Sequence, residues 1–417
     1  MRIYNTLSRQ IETFKPQEKP ISVYVCGITP YDATHLGHAF TYTALDIIVR
    51  YLVFRGHDVQ YVQNVTDVDD DILRKADEVG ENWGELGDRW TARFIRDMIA
   101  LNVRPPDRFP RATDVIPQII DVVQRLLDAG LAYEAGGSVY FHIDAWPAYG
   151  KLSRLSREEM LPIANERGND PDDPHKQAPI DFVLWQAQAP GEPAWESPWG
   201  PGRPGWHIEC STMALHFLGS PIDIHSGGAD LTFPHHESEI AQAEGSTGEA
   251  PFVRYWVHTA MVRHEDEKMS KSLGNLIMVN DLLETWTADT LRLYLASHHY
   301  RDAWSHNRGE LEQAEQRSQR LNAAVSANGG GAEALDAAPW RAAFVSAMDD
   351  DLNTPMALQH LEGLADTILR GADEERSVAS AQDALCSMGG VFGLRFNAPE
   401  PDAELSKQWE QYLQDFT

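Results

Sequence analysis

Cysteine is scarce in this chain: three in 417 residues, at positions 26, 210 and 386. So few thiols, so widely spaced, exclude a disulfide framework and suit a reducing compartment, so a cytoplasmic protein is expected. Long apolar runs are missing too. No stretch approaches the length of a bilayer span, and the N-terminus, MRIYNTLSRQ, lacks the apolar core of a signal peptide, so no membrane partner is expected. Positive charge is short: 35 Lys and Arg stand against 63 Asp and Glu, a net charge of −28. No cluster of five or more Lys and Arg interrupts that acidity. A polyanion is repelled by such a surface on average, so a nucleic-acid contact would need a local basic groove; the plainer reading is that the acidity serves solubility. There is no internal repeat. What remains is a chain of ordinary globular composition, 42% hydrophobic and 24% charged, long enough for two or three domains.

Hydrophobic periodicity supplies an order of elements. ISVYVC (21–26) reads as a short buried strand, residues 38–55 as a helix, and DVQYVQNV (58–65) as the next strand, with Gly56 closing the helix. That βαβ order predicts a parallel sheet in an α/β fold. Residues 112–130 carry Ile116, Ile119, Ile120, Val123, Leu126 and Leu127 on one helical face. From about 166 to 206 Pro, Gly, Asp and Trp accumulate, which predicts a long ordered loop or insertion without regular structure. PIDIH (221–225) reads as a strand, a helix is expected from near Pro234, and VRYWVHTAMV (253–262) reads as another strand. Beyond about 281 the pattern is helical, interrupted by ANGGGAEALDAAP (327–339), a flexible linker by composition.

Two groups of residues carry chemistry. Cys26 ends the first buried strand, Cys210 sits in GWHIEC, and FPHHESEIAQAEG follows; His235 and Glu239 share a helical face if Pro234 opens a helix. Two thiolates, an imidazole and a carboxylate make a plausible Zn²⁺ set, although distant single cysteines are commonly small core residues, and spacing admits His236 equally well. Cys386 reads as core. The second group is split. His35 and His38 bracket Gly37 between a strand and a helix start, where the helix dipole, backbone N–H groups and two imidazoles favour phosphate; alone, such a pair is as readily a cap and a surface histidine. Far along the chain HEDEKMSKSLGN (264–275) sets Lys268 and Lys271 around Met269 and Ser270 on a polar, glycine-ended loop, suited to charge developing on a leaving pyrophosphate.

HLGH and KMSKS together resemble the two nucleotide signatures of class I aminoacyl-tRNA synthetases. YVCGIT, YVQNVTDVDD (61–70), VYFHI and YGKLS (139–153), PGEPAWESPWGPGRPGWHIECS and FPHHESEIAQ narrow the resemblance to the cysteinyl-tRNA synthetase and mycothiol-pathway cysteine ligase family, over about residues 1–400. The resemblance implies a Rossmann-type parallel-sheet α/β catalytic domain with an insertion, followed by an all-α C-terminal bundle. It implies one zinc ion on Cys26, Cys210, His235 and Glu239, not His236, able to take the thiolate of substrate cysteine and so reject serine without an editing domain. It further implies ATP with Mg²⁺ as substrate. His35 and His38 would bind phosphates, Lys268 and Lys271 the β/γ side, and Gly37, Ser270, Gly227 and Gly228 the nucleotide. Asp230 would bind the substrate ammonium, with Gly27, Thr29, Thr66 and Trp206 around the cysteine.

The acceptor of the cysteinyl group is open on two sides. GITPYDATHLGHA and ERGNDPDDPHK resemble the ligase that joins cysteine to the amine of glucosaminyl-inositol, and the end of the sequence at 417 falls where a synthetase is expected to continue into a small anticodon-binding domain. Glu239, His225 in DIHSGG, KMSKSLGN and RIYNTLSRQ resemble the synthetase, and the residues at the metal and ATP sites favour tRNA-Cys. Ser226 departs from the glycine usual in both. A non-catalytic regulatory paralogue is a third class, disfavoured because a pure binder needs neither phosphate signature. The expected division is 1–105 and 201–263 for the two halves of the catalytic domain, 106–200 for the insertion, 264–300 for the KMSKS loop and stem-contact region, and 301–417 for the helical domain. Helices at 301–326 and 340–394 would meet a tRNA stem, and a monomer is expected.

Overall fold

The computed structural model describes residues 1–16, 20–265, 267–269, 274–396, 398 and 403–417, with Lys268 described by its backbone. A hairpin of β1 (Arg2–Asn5) and β2 (Gln10–Thr13) precedes β3 (Ile21–Ile28), α1 (Leu36–Phe54) and β4 (Val59–Val65). Apart from Ser22, β3 carries no polar side chain other than the Tyr24 hydroxyl and the Cys26 thiol, and it is largely buried, as a strand covered on both faces must be. Two further helices, α2 (Asp70–Val79) and α3 (Trp83–Ala100), each open on a side chain that caps the backbone, Asp69 and Asn82. The amphipathic run at 112–130 divides into a 3₁₀ turn (Ala112–Val115) and α4 (Ile116–Asp128). Pro117 lies in the first turn of α4, where its missing N–H costs nothing.

An antiparallel sheet follows, formed by β5 (Ala132–Ala135), β6 (Ser138–Phe141), then, after α5 (Arg157–Asn165), β7 (Phe182–Ala187) and β8 (Gly202–Pro204). The Pro/Gly/Trp-rich stretch at 166–206 is therefore not without regular structure. β7 and β8 lie inside it, and FVLWQA is short enough to be masked by the turn-rich sequence around it. Next come α6 (Trp206–Leu218), β9 (Ile222–Gly228), α7 (Glu237–Thr247) and β10 (Val253–Thr259). α7 begins three residues after Pro234, because Phe233 is extended (φ −142°, ψ 134°) inside a wide turn at Thr232–His236. The strand expected at 253–262 is broken after Thr259. Val262 starts β11 (Val262–His264), which belongs with β12 (Glu267–Lys268) and β13 (Trp304–Ser305) in a separate small sheet.

The parallel sheet has the order β10-β9-β3-β4. Successive side chains of β3 alternate between its faces. Val23 and Val25 enter one core with α1 and the C-terminal helices, while Tyr24 and Cys26 enter the other, beneath α4, α6 and α7. This alternation places Cys26 on the same side as Cys210 of α6 and Glu239 of α7. α1 is buried on most of its circumference because it lies between the sheet and the helical region.

The helical region comprises α8 (Val279–Thr285), α9 (Ala288–Ala296), α10 (Arg308–Val325), α11 (Ala338–Met348), α12 (Thr354–Asp373), α13 (Ala379–Val391) and α14 (Ala403–Gln414). The helical stretch at 340–394 is thus three helices. Asp351 and Leu352 at positive φ, then the Asn353 cap and Pro355, separate the first two. Residues 327–339 are packed rather than a loose linker. A Cβ on Gly329 or Gly331 would stand 2.1 or 2.0 Å from the carbonyls of Arg376 and Glu375, and Leu335 is buried with its N–H on Ser377 O at 3.0 Å. The glycines there serve close backbone approach, which composition cannot distinguish from flexibility. Cys386 is half-buried in α13 rather than core.

Candidate active site

β3 runs to β4 on one side through α1 and pairs with β9 on the other, so the direction of chain progression reverses between β3 and β9. Open parallel sheets bind ligands outside the carboxyl ends of their strands at such a point. A cavity of about 1130 Å³ lies there. It is lined by Cys26 and Gly27 near the end of β3 and Thr29 beyond it, by Gly228 at the end of β9 and Asp230 beyond it, and by Thr66 after β4. His35, Gly37 and His38 form a further wall, with Trp206, Cys210 and His235 from the α6/α7 side. Of the residues assigned to the site by sequence whose side chains are described, Gly227, Glu239 and the alternative metal ligand His236 are not among those lining the cavity.

At the mouth of α1, His35 is the cap. Its Nδ1 accepts from the amides of Gly37 (3.1 Å) and His38 (3.4 Å), and its ring stacks on that of His38 at 3.8 Å between centroids. A neutral ring accepting at Nδ1 carries its proton on Nε2. Two amides expected to serve an anion are thus used within the chain, and Gly37 has a packing role. A Cβ there would stand 2.9 Å from His35 Cε1 and 3.8 Å from Met269 Cε. The second signature meets the first at this point. Leu36 donates to Ile277 O at 2.8 Å, Val279 donates to Thr34 O at 3.0 Å, and Met269 lines the same cavity. Ser270 and Lys271 lie outside the described residues, and Lys268 is placed only by its backbone, opposite Arg263 in β12.

On the floor of the cavity the ligand atoms of Cys26, Cys210, His235 and Glu239 all lie within 4.8 Å of one another, and all four residues are buried. Cys26 Sγ is 3.4 Å and His235 Nε2 is 3.2 Å from the same oxygen of Glu239. A second combination, Cys26, His225, His236 and Glu239, meets the same distance test. The two differ in position. Cys26, Cys210 and His235 line the cavity, whereas His225 and His236 are not among its lining residues, and His236 Nε2 lies 3.3 Å from Cys26 Sγ. Burial, then the adjacent Cys210 and Glu239, pushes the Cys26 thiol well above its ordinary range, and burial raises the Glu239 carboxyl likewise. Nearby negative groups that resist ionisation together are what a divalent cation relieves, so the donor set fits a metal of zinc's type.

Sequence reading named His225 only as a mark of the family resemblance and passed over His207, and the structure makes both partners of this cluster. His207 Nδ1 lies 3.0 Å from His235 Nδ1, and His225 Nε2 lies 2.9 Å from the second oxygen of Glu239. Burial pulls both imidazoles down to about 3, so both are neutral. Neutral rings of this kind fix the orientation of the groups they touch. Trp206 stacks on His235 at 4.4 Å, joining the pocket wall to the cluster. Their signal was present in GWHIEC and DIHSGG, next to residues already singled out. Gly27 is fixed by its neighbour: a Cβ there would lie 1.6 Å from Asn64 O, where β3 bulges against β4. Ser226 turns its hydroxyl to the Val257 carbonyl in β10.

The model of the tRNA synthetases class I (C) catalytic domain matches residues 13–316, and that of the DALR domain matches 343–397. A cysteine–tRNA ligase of Dehalococcoides mccartyi is 45% identical over 406 residues, covering 96% of this chain and 88% of that protein. An L-cysteine:1D-myo-inositol 2-amino-2-deoxy-alpha-D-glucopyranoside ligase of Thermomonospora curvata is 48% identical over 362 residues, 86% of each chain. The solved structure of Mycobacterium tuberculosis methionyl-tRNA synthetase in complex with methionyl-adenylate shares the fold at a TM-score of 0.63 with 18% identity, over 94% of this chain and 93% of that one. With that catalytic domain spanning most of its length and near-full-length relatives at this identity, the chain belongs to the class I (C) tRNA synthetase family.

Proposed function

We infer that the protein activates L-cysteine with ATP, forming cysteinyl-adenylate and pyrophosphate, and then transfers the cysteinyl group to tRNA-Cys. The observation that carries this reading is the thiol- and imidazole-bearing cluster on the floor of the cavity whose wall is HLGH. Cys26, Cys210, His235 and Glu239 would hold a zinc ion, which supplies a borderline-soft centre that prefers a thiolate to a hydroxyl. The remaining work belongs to the chain. Asp230 offers a carboxylate for the substrate ammonium, and Thr29, Thr66 and Trp206 close around the amino acid. His35 and His38 offer donors to phosphate oxygens at the positive end of α1, with Lys268 and Lys271 assigned to the departing pyrophosphate of Mg²⁺-bound ATP. In this reading the insertion at 106–200 covers the cavity, and the helices after 301 meet the tRNA stem.

The identity with the Thermomonospora curvata ligase favours a second reading, in which the acceptor is the amine of an amino sugar. One experiment separates them. The protein is given ATP and labelled cysteine, with tRNA and glucosaminyl-inositol offered in parallel and cysteine-dependent pyrophosphate exchange as control. Charging of tRNA is the expected outcome. Amide formation on the sugar without charging selects the second reading, and absence of exchange removes both.

A further inference from the structure

Four described Lys and Arg side chains line the cavity: Arg74, Arg167, Lys176 and Arg203. Three are committed to groups with no other task there. Arg74 pairs with Asp71, and Lys176 donates to Asn169 Oδ1 and to the Asp170 carbonyl at 2.7 Å each. Arg203 pairs with Asp70 and, at 3.1 Å, with Glu192. Arg167 differs: its Nη1 lies 3.3 Å from Oδ2 of Asp230, the carboxylate assigned above to the substrate ammonium.

Arg167 is held in place by its loop. Its amide donates to Ala164 O at 2.9 Å, and Lys176 clamps the segment from 169 to 170. Asp173 accepts from Tyr140 Oη at 2.8 Å, and the Gln177 amide donates to Tyr133 Oη at 2.7 Å, which ties the loop to β5 and β6. The ion pair itself is easily exchanged. It joins one nitrogen to one oxygen, and its two side chains are 27% and 31% exposed, so a competing ammonium can take the carboxylate at small cost.

We propose that Arg167 is a substrate-recognition residue that changes partner, holding Asp230 in the free protein and turning to the substrate carboxylate once the substrate ammonium has taken Asp230. The proposal rests on the cysteine-activation reading. In an α-amino acid the ammonium and carboxylate flank one carbon, so a guanidinium displaced by the first is already beside the second. A substrate bearing both charges compensates every group in the exchange. An amine without a carboxylate takes Asp230 and leaves a half-buried guanidinium without its anion. When the carboxylate becomes the mixed anhydride, the adenylate phosphate keeps a negative charge within the same cavity.

Cysteine and cysteamine separate this role from a structural one, because they share thiol and ammonium and differ in the carboxylate. Both are titrated calorimetrically into the full chain and into Arg167→Gln and Arg167→Lys. Arg167→Gln is expected to weaken cysteine by about tenfold, the scale of a charge-assisted hydrogen bond. Cysteamine binding is expected to stay level or tighten, so the cysteine-to-cysteamine affinity ratio falls. Arg167→Lys, which keeps the charge without the planar fork, recovers part of that ratio. A parallel shift of both ligands, with the ratio unchanged, overturns the proposal. If Arg167→Gln does not fold, the lysine variant decides alone: its ratio falls below that of the unmodified chain, and an unchanged ratio overturns the role. Failure of the unmodified chain to support cysteine-dependent pyrophosphate exchange is a separate result, which removes the activity and not merely the residue's part in it.

Discussion

Two buried polar clusters lie on opposite faces of the parallel sheet, and they are completed in different ways. On the α1 face, Asp46 accepts from Arg50 Nε at 2.9 and 2.8 Å, from the Arg104 amide at 2.9 Å, and from Arg292. Arg292, wholly buried, also reaches the carbonyls of Leu101 (2.9 Å), Asn102 (3.2 Å) and Phe392. Burial alone would raise the Asp46 carboxyl, but Arg50 and Arg292 hold it below its ordinary value. The Cys26–Cys210–His235–Glu239 cluster on the other face gathers groups of one tendency, and each thiol or carboxyl with a resolved shift is pushed toward its neutral form. The first cluster closes its charges within the chain and ties α1 to α9 and the turn after α13. The second is short of a positive charge. A fold uses the former for architecture and the latter for a ligand.

The largest break in this contrast is expected from a thiol of the second cluster. Cys210→Ala is expected to weaken metal binding by more than the roughly 10–100-fold attached to an outer partner. Metal-to-protein ratios after dialysis, and loss of cysteine/serine discrimination in pyrophosphate exchange, report it. A variant that kept its zinc would place the site elsewhere.

The first cluster should break in stability alone. Asp46→Asn strands a buried guanidinium and is expected to cost about 3–5 kcal/mol in urea unfolding, with metal content unchanged. Its pH dependence has a definite sign. The Asp46 carboxyl is held below its unfolded value, so the stability it contributes is full above about pH 4 and is lost as pH falls further. The gap between the parent protein and Asp46→Asn should therefore narrow on acidification, and a gap that widened would contradict the pairing.

A finer test concerns the support of Glu239. His225→Phe keeps an aromatic ring against Trp256 but removes the ring nitrogen beside Glu239, and should weaken metal binding about 10–100-fold in a chelator competition. No change would mean that Glu239 needs no orienting partner. The smallest effect is expected from Ser226→Gly. The hydroxyl bonds within the sheet, so stability should drop by about 1–2 kcal/mol through the lost hydrogen bond and the glycine itself, with KM for ATP unchanged. A lower KM would mean that the serine holds the backbone away from the nucleotide.

Much of the candidate site was legible before the fold, because its residue types fall in short strings. HLGH at a strand-to-helix turn, Cys26 at a strand end and His235 four before Glu239 are local facts. The strand hidden at 182–187 was not legible, since six residues among Pro, Gly and Trp give no period long enough to read. Nor was the packing at 327–339, where glycine means contact with residues 375–376.

By itself the sequence determined the βαβ order, the HLGH and KMSKS signatures and the supply of thiol, imidazole and carboxylate, since each is written in neighbouring residues. Only the tertiary structure decided which of these meet. Cys26 and Glu239 stand 213 positions apart, and they touch because alternation along β3 sends Cys26 to the face that α6 and α7 cover. The same packing put His235 in the cavity lining and left His225 and His236 out of it, and brought Arg167 to Asp230. Spacing along a chain carries no sidedness until a sheet gives it two faces.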